Sequence, residues 1–334
     1  MINWGVIGAG NMASKFVEAI KEIKNTKILS VASLTKKKSK ELLNFFDIKN
    51  EYYFDNYDEL INCKEINAVY ISSLNNSHKE IIIKAINANK NILCEKPMTL
   101  NFDEAENVFQ TINKKKIFFL EAFAYRSHPQ TEVIKKLLEK QELGLVYKIE
   151  LSFGYKTRRV NQHSRIYNKQ FGGGAILDVG CYTTSYALLL AQIIHPDIDL
   201  NQYKLNNISG NICETGVEDT ASVDLVFSDK LTINLKTSIR NEMINNCIIY
   251  GSKGKIIIPN PWSPETKSYF EVFKNNNSYY KKFTDSKYSI YANQIDSFNK
   301  ILINDNKLIN STLMTNKESL INMKIITDWK KNLN

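Results

Sequence analysis

The first 120 residues alternate between short apolar runs without a helical period and segments whose apolar residues recur every three or four positions. The first apolar run covers residues 2–7, and Phe16, Val17, Ile20 and Ile23 follow it at helical spacing. Further strands are predicted at 28–34, near Tyr52, and at 68–72, 91–94 and 117–120, with helices at 38–46, 55–61, 77–88 and 101–112. Strands and helices in strict succession predict a parallel, doubly wound α/β sheet.

A longer strand is predicted at 146–155, and between residues 203 and 283 the pattern changes to strands that follow one another directly. These strands are predicted at 203–212, 220–227, 231–237, 244–250, 255–258, 269–273 and 279–283, with turns at 228–230 and 251–254. This succession predicts a large, mostly antiparallel open sheet. Helices are predicted at 132–139, 176–194, 289–303 and 315–332, the last with a buried stripe of Ile321, Ile325 and Trp329. We therefore predict an α/β domain, residues 1–122, and an α+β domain, residues 123–334.

Composition and charge exclude several classes of protein. The 334 residues suit two domains at roughly 100 to 200 residues each. The net charge of +9 comes from lysines spread over nearly every segment, so we expect no nucleic-acid surface. No run approaches the roughly 18 to 20 apolar residues of a membrane span, and the N-terminus lacks the features of a signal peptide, so a cytoplasmic location is expected. Five scattered cysteines and four histidines offer no metal-ligand set.

A glycine turn follows the first strand and opens the first helix. Its sequence, Gly8-Ala9-Gly10-Asn11-Met12-Ala13, in that position is the dinucleotide fingerprint of a Rossmann domain. Gly8 would form the tight turn, Gly10 would let the backbone approach a pyrophosphate, and Ala13 would allow close helix packing. The helix N-terminus would then face the phosphate charge.

The second strand ends where the adenosine ribose of such a cofactor lies. Cofactors without a 2'-phosphate usually meet an acidic residue there. This chain instead has the hydroxyl and ammonium groups of Ser33, Thr35, Lys36 and Lys38, which suit a phosphate. The alternative is that these lysines form a solvated first helical turn, although cations there oppose the helix dipole. We therefore expect NADP, with NAD as the alternative.

Two more loops follow strands of the predicted parallel sheet, at 72–78 and 95–97. Ligands of such sheets lie beyond the carboxyl ends of the strands, so both loops are candidates for the site. His78 would start a helix near the cofactor or be merely solvated, and the sequence leaves both open. Lys96 follows the strand at 91–94 directly and is the candidate cationic group of the site.

The chain resembles the family of glucose-fructose oxidoreductase, inositol dehydrogenase and their relatives, the Gfo/Idh/MocA family. The resemblance lies in the segments 8–13 (GAGNMA), 72–78 (SSLNNSH), 94–98 (CEKPM), 121–129 (EAFAYRSHP) and 172–182 (GGGAILDVGCY). Within the family the chain is most similar to the branch of trans-dihydrodiol dehydrogenase, xylose dehydrogenases and glucose-fructose oxidoreductase, because it has Tyr182 where inositol dehydrogenase has histidine.

This resemblance implies a set of site residues. The implied cofactor contacts are Gly8, Gly10, Asn11, Met12, Ser33, Thr35, Lys36, Lys38, Ser73, Asn75, His78, Glu95, Lys96 and Arg165. The implied substrate contacts are Lys96, Tyr125, Arg126, Asp178 and Tyr182. Arg165 lies in a polar segment that would otherwise be a surface loop, and it would touch either cofactor or substrate. The three glycines at 172–174 would let the backbone pass close to another group.

The candidate chemistry centres on Asp178 and Tyr182, which are four residues apart and share one face of the predicted helix. From the residues alone they would be an ordinary helical hydrogen bond, whereas the resemblance implies catalysis. Removing a hydride from a carbinol carbon requires loss of the hydroxyl proton, and tyrosine, with a pKa near 10, needs assistance at neutral pH. Lys96 would favour the phenolate of Tyr182, and Asp178 would either orient the pair or position a second hydroxyl of the substrate.

The resemblance thus implies an oxidoreductase acting on a secondary hydroxyl or ketone of a sugar, nucleotide sugar or related cyclic polyol. A dihydrodiol dehydrogenase using the same residues is one alternative. A nucleotide-sensing regulator is another, although Lys96 and Tyr182 are groups that a sensor does not need. The resemblance further implies a homodimer or homotetramer formed through the C-terminal sheet.

Overall fold

The computed structural model describes residues 1–46, 54, 56–227, 231–304 and 312–333, without the side chain of Lys36. The predicted strand near Tyr52, the start of the helix predicted at 55–61 and the predicted turn at 228–230 lie outside these residues. The chain forms two compact units. The first contains Met1–Ser127 and Tyr288–Asn316, and the second contains His128–Lys287 and Lys317–Asn334.

The first unit contains a five-stranded parallel sheet. Its strands are β1 (Ile2–Ile7), β2 (Thr26–Ala32), β3 (Ala68–Ile71), β4 (Asn91–Cys94) and β5 (Phe119–Glu121), in the order β2-β1-β3-β4-β5. Its helices are α1 (Asn11–Ile20), α2 (Lys36–Phe45), α3 (Tyr57–Asn62), α4 (Asn75–Asn87), α5 (Phe102–Ile112) and α8 (Ile290–Ile303). The predicted doubly wound parallel sheet is therefore confirmed.

Helix α8 comes late in the chain, and the predicted division at residue 123 placed it in the second domain. The structure groups it with the first unit instead. The physical reason is aromatic packing, because Phe298 of α8 lies 4.9 Å from Trp4 of β1 and 5.0 Å from Phe118, measured between ring centroids. Trp4 lies in β1 and Phe118 directly precedes β5, so α8 packs against the parallel sheet of the first unit.

The second unit contains an eight-stranded sheet. Its strands are β6 (Val146–Gly154), β7 (Tyr203–Ile212), β8 (Glu218–Phe227), β9 (Leu231–Ser238), β10 (Asn246–Gly251), β11 (Gly254–Pro259), β12 (Lys267–Lys274) and β13 (Tyr279–Asp285). Their order is β13-β12-β11-β10-β6-β9-β8-β7. Among the described residues of this second sheet, only β6 and β9 pair in parallel. The predicted mostly antiparallel sheet is confirmed.

Three helices complete the second unit, α6 (Pro129–Glu139), α7 (Cys181–Ile194) and α9 (Asn316–Lys331). Helix α9 buries the predicted stripe Ile321, Ile325 and Trp329. Helix α7 packs on β6 and β9, and a short π-helical turn, Ile176–Gly180, precedes it without interruption. The helix predicted at 176–194 therefore begins with a turn that is wider than an α-helical one.

The stretch Lys169–Ile194 is long and apolar enough to cross a membrane, judged by length and composition alone, although the sequence predicts no membrane span. Its most apolar 18-residue window has a mean hydropathy of 1.3. However, 94% of that window is buried inside the protein, which is what the core helix of a folded domain also shows.

Candidate active site

The glycine turn between β1 and α1 has the shape that a dinucleotide requires. Gly8 has φ +100°, and a Cβ there would lie 2.8 Å from the Ser72 carbonyl oxygen, so only glycine fits beside the end of β3. Gly10 precedes the first turn of α1, and a Cβ there would meet no protein atom within 4 Å. That turn contains no acidic residue and no side-chain cap, which leaves the helix N-terminus open to an anion. Asn11 is exposed and Met12 half-buried on the same turn.

The segment after β2 carries the hydroxyl and ammonium groups that were expected there. Ser33 is half-buried, Thr35 and Lys38 are exposed, and Thr35 is the N-cap of α2. The first turn of α2 contains no acidic residue. Lys36 belongs to this turn, but its side chain lies outside the described part of the structure.

Helix α4 begins, directly after the loop that follows β3, with a buried amide that has an unused donor. Asn75 is 7% exposed, and in the described part of the chain no acceptor hydrogen-bonds its Nδ2. A buried donor left without a partner costs free energy, so this orphaned group fits a site whose ligand accepts a hydrogen bond. Ser73, in the same loop, bonds through its hydroxyl to Ser77 at 2.8 Å.

His78 is fully buried, so its predicted alternative as a solvated residue is wrong. Its Nδ1 lies 3.0 Å from the Pro97 carbonyl oxygen and its Nε2 3.2 Å from the Ser73 carbonyl oxygen. The ring therefore joins the loop after β3 to the loop after β4. The Lys96-Pro97 peptide in that second loop is cis.

Glu95 and the half-buried Lys96 follow β4 and have two tyrosine neighbours that the sequence analysis did not select. The Tyr70 hydroxyl donates to Glu95 Oε1 at 2.5 Å, and the Tyr70 ring stacks on Phe16 of α1 at 4.1 Å between centroids. Burial, followed by the charge of Glu95, raises the pKa of Tyr291 on α8, while Lys96 lowers it. Tyr291 therefore lies near both charges. A tyrosine inside the apolar strand β3 was the available signal for Tyr70.

Tyr125 and Arg126 are fully buried in the first unit. Arg126 Nη1 donates to the Thr312 carbonyl at 3.3 Å, and the Thr312 hydroxyl donates to the Arg126 carbonyl at 2.5 Å. These bonds join the segment after β5 to the chain that follows α8. They explain Arg126 as a structural residue, and its contact with a substrate stays a prediction.

In the second unit, the π-helical turn holds Asp178 in a fixed position. The Tyr155 hydroxyl donates to Asp178 Oδ2 at 2.5 Å, and Arg165 Nη1 lies 3.1 Å from Oδ1. The Asp178 side chain is 8% exposed and that of Arg165 is 45% exposed. Burial, followed by the charge of Asp178, raises the pKa of Tyr155, so its phenol stays protonated and donates. Tyr155 is not among the site residues predicted from the sequence, because it directly follows β6 and belongs to no local motif.

The three glycines at 172–174 approach groups of the protein itself. A Cβ on Gly173 would lie 2.8 Å from backbone atoms of Ile166 and Asn168. Gly174 has φ +115°, and a Cβ there would lie 2.3 Å from Glu218 Oε1. The same Glu218 oxygen accepts from the Ile176 amide at 3.1 Å. The absence of side chains at these glycines therefore allows the segment with Arg165 and the Glu218 carboxylate to lie close to the start of the helix.

Tyr182 is half-buried in the first turn of α7, within a group of aromatic rings. Phe153 lies edge-on to it at 5.3 Å and Trp262 at 6.3 Å, while Phe153 and Trp262 stack on each other at 5.3 Å. The Trp262 indole donates to the Ser152 carbonyl at 3.1 Å. These rings form an apolar wall beside the Tyr182 phenol.

Asp178 lies in the π-helical turn and Tyr182 in the α-helix that follows. A spacing of four residues is close to one full turn in both kinds of helix, so this arrangement is compatible with the shared face that the sequence predicts. Among the described residues, no group of three or more His, Cys, Asp or Glu side chains could hold a metal ion.

Comparison with known proteins identifies this arrangement. Residues 2–123 match the model described as "Oxidoreductase family, NAD-binding Rossmann fold", and residues 131–257 match the Gfo/Idh/MocA C-terminal domain. The chain belongs to the Gfo/Idh/MocA oxidoreductase family. It is therefore an NAD(P)-dependent oxidoreductase, and the predicted family is confirmed.

Individual relatives agree with this assignment. Trans-1,2-dihydrobenzene-1,2-diol dehydrogenase of Xenopus tropicalis is 30% identical over 264 residues, covering 78% of this chain and 76% of the relative. The human enzyme of the same name is 26% identical over 266 residues, covering 79% and 76%. Among solved structures, a 3-ketoreductase from Actinomadura kijaniata in complex with NADP and TDP-benzene has a TM-score of 0.84 at 20% identity, covering 97% and 95%. An aldose-aldose oxidoreductase from Caulobacter crescentus has a TM-score of 0.84 at 18% identity, covering 99% and 96%.

Proposed function

We propose that this oxidoreductase prefers NADP and acts on a secondary hydroxyl, or the corresponding ketone, of a sugar, nucleotide sugar or related cyclic polyol. The observation that carries the proposal is the half-buried phenol of Tyr182 beside the aromatic wall of Phe153 and Trp262. The half-buried Phe153 can present its ring to the apolar face of a substrate ring, while Trp262, which is 3% exposed, supports Phe153 by stacking on it. A 3-ketoreductase and an aldose-aldose oxidoreductase share the fold.

In the proposed reaction the protein moves the proton. Tyr182 accepts the proton of the substrate hydroxyl in oxidation and returns it in reduction. Lys96 lowers the free energy of the phenolate by its positive charge and hydrogen-bonds the substrate oxygen. The nicotinamide supplies the hydride chemistry when the cofactor is bound. The N-terminus of α1, Gly10 and the Asn75 amide would hold the cofactor, and the remaining cofactor contacts implied by the resemblance stay predictions.

Substitution of the two proposed catalytic groups tests this assignment. Lys96→Met and Tyr182→Phe should each lower kcat by about 100-fold or more, because each removes a group that participates in proton transfer. Cofactor binding by Tyr182→Phe, followed by nicotinamide fluorescence, should stay close to that of the parent. Unchanged turnover in either variant contradicts the assignment. If the parent binds cofactor tightly and turns over no substrate on a panel, the sensor is supported.

The NADP preference rests on the segment after β2. Ser33 stands where an acidic residue would accept from the ribose 2'-hydroxyl of NAD. Ser33→Asp should therefore lower kcat/KM with NADP by at least tenfold and raise it with NAD, since a carboxylate repels the 2'-phosphate. Ser73→Ala is the control, because it also alters a candidate cofactor loop without adding charge. If parent and Ser33→Asp show the same cofactor ratio, this segment does not select the cofactor.

A dihydrodiol substrate is the second candidate, favoured by the curated relatives named above. The same aromatic wall would stack on an unsaturated ring. A panel of aldoses, nucleotide sugars, cyclic polyols and trans-dihydrodiols, followed at 340 nm with each cofactor, separates the two. Higher kcat/KM with the dihydrodiols would replace the sugar proposal.

We also propose that the C-terminal sheet forms a homodimer or homotetramer contact. Tyr147 on β6 is 52% exposed, and Tyr279 and Phe283 on β13 are 48% and 67% exposed. Apolar rings on an exposed sheet favour burial against a second copy. Light scattering should report a dimer or tetramer for the parent and a smaller species for Phe283→Glu. A monomeric parent contradicts the proposal.

A further inference from the structure

We propose that Tyr155 is a positioning residue of the reaction, which acts through Asp178 and Arg165 on the helix that carries Tyr182. The inference rests on the proposed function, since it assigns a supporting role around the same catalytic tyrosine. It also gives the orienting role expected of Asp178 a structural basis, because Tyr155 and Arg165 anchor its carboxylate.

The geometry around Asp178 shows a carboxylate with both oxygens in use. Tyr155 donates to Oδ2 at 2.5 Å, and Arg165 contacts Oδ1 at 3.1 Å. Asp178 is 5% exposed, so water contributes little to its solvation. A buried carboxylate is stable as an anion when a cation and hydrogen-bond donors replace that water. Asp178 is therefore well placed to orient neighbouring groups and poorly placed to exchange protons.

The two donors come from segments that the fold holds in place. The Tyr155 amide donates to the Ser238 carbonyl at 3.1 Å, and the Thr157 amide donates to the Ile239 carbonyl at 3.2 Å. These bonds extend the pairing of β6 with β9 beyond the end of β6. Tyr155 thus presents its hydroxyl from a segment that is hydrogen-bonded to the sheet.

The segment with Arg165 is fixed by different bonds. The Gly174 amide donates to the Ile166 carbonyl at 2.9 Å, and the Gly173 amide donates to the Asn168 carbonyl at 2.9 Å. The Asp178 carboxylate therefore joins three parts of the unit: the sheet through Tyr155, the segment 165–171 through Arg165, and the helix through its own backbone. Removing Tyr155 should loosen the turn that directly precedes Tyr182.

Tyr155→Phe removes the hydroxyl and keeps the ring, and Tyr203→Phe is its matched control. Tyr203 OH donates to Asp328 Oδ2 at the same distance of 2.5 Å in the same unit, but Tyr203 begins β7 and Asp328 lies on α9. Loss of a bond to a charged acceptor at the site should lower kcat by roughly 10- to 100-fold. Tyr203→Phe should leave kcat within about twofold of the parent. Equal kcat in the two variants overturns the proposal.

A double-mutant cycle tests whether Tyr155 acts through Asp178. If it does, Tyr155→Phe combined with Asp178→Asn should be no slower than Asp178→Asn alone. Tyr203→Phe combined with Asp178→Asn provides the additive reference. Independent, multiplying effects of Tyr155→Phe and Asp178→Asn overturn the proposal, because the tyrosine would then act by another route.

Hydrogen exchange supplies a readout that does not depend on the substrate. Tyr155→Phe should speed amide exchange over residues 164–178, whereas Tyr203→Phe should not. Unchanged exchange there overturns the positioning role whichever substrate the enzyme takes. Faster exchange with parent-like kcat also overturns it, because the role would then be structural only. Absence of turnover in the parent would instead contradict the proposed function, whereas unchanged exchange would still overturn the anchoring of the turn by Tyr155.

Discussion

Gly174→Ala should destabilise the second unit strongly, for two reasons that can be separated. The residue has φ +115°, a region that side chains other than glycine adopt only at about 1–3 kcal/mol. The new Cβ would also lie 2.3 Å from Glu218 Oε1 and 2.6 Å from its Cδ, so the carboxylate must move. Moving it breaks its bond from the Ile176 amide, which contributes about 1.5–3 kcal/mol. The expected loss is therefore about 2.5–6 kcal/mol.

Urea unfolding of the parent and four variants measures these contributions. Gly216→Ala is the matched control, because Gly216 has φ +76° and a Cβ there meets no atom within 4 Å. It should lose only the backbone contribution, about 1–2 kcal/mol. Gly174→Ala combined with Glu218→Ala removes the steric conflict, so its loss relative to Glu218→Ala alone should approach that of Gly216→Ala.

Two results would refute the reasoning. Equal losses for Gly174→Ala and Gly216→Ala would show that Glu218 moves aside at no free-energy cost. A loss for Gly174→Ala that persists undiminished on the Glu218→Ala background would assign the effect to the backbone alone. Thermal unfolding followed by circular dichroism gives an independent check on the order of the variants.

Two further predictions concern buried nitrogen-containing side chains, His128 and Lys90. Burial lowers the pKa of His128 from 6.5 to about 4, and its Nδ1 accepts a hydrogen bond from the Gln130 amide at 3.1 Å. The neutral ring therefore stabilises the fold fully above about pH 6.5. This contribution to the free energy of unfolding is lost as the pH falls toward 4. His128→Asn keeps an acceptor without this titration, so its Tm should fall less than that of the parent between pH 6.5 and 4; parallel curves would contradict this. Lys90 donates to the Cys63 and Ile66 carbonyls at 2.6 and 2.8 Å, so Lys90→Met should lower the free energy of unfolding by about 2–5 kcal/mol in urea, and a loss below about 0.5 kcal/mol would show that both carbonyls are solvated.

Local periodicity was sufficient to predict the sheets of both units, because each strand and helix carries its own pattern of apolar residues. The assignment of α8 was not predictable in this way. Its amphipathic pattern states that one face is buried but not which sheet covers it. The contact of Phe298 with Trp4 joins residues almost 300 positions apart, and no local pattern encodes such a pairing.

The residues of the candidate site also differ in whether the local sequence predicts them. Gly8, Gly10 and Lys96 follow strands of a parallel sheet, so their position follows from the rule that ligands lie at the carboxyl ends of such strands. Tyr155 and Glu218 lie in or beside strands of the second sheet, where a polar residue at a strand end is common. Only the approach of these strands to the turn at 176–180 shows what they bind.

That turn is stabilised by two carboxylates with different environments. Asp178 receives a cation and a phenol within hydrogen-bonding distance, whereas Glu218 receives one amide, with Lys330 at 3.9 Å. Burial raises the pKa of Glu218, and the nearby Lys330 only partly opposes this. Of these two carboxylates, the one that lies one turn before Tyr182 therefore receives the stronger charge compensation. The difference between the two carboxylates supports the proposal that Asp178 and Tyr155 position Tyr182, the proposed catalytic tyrosine.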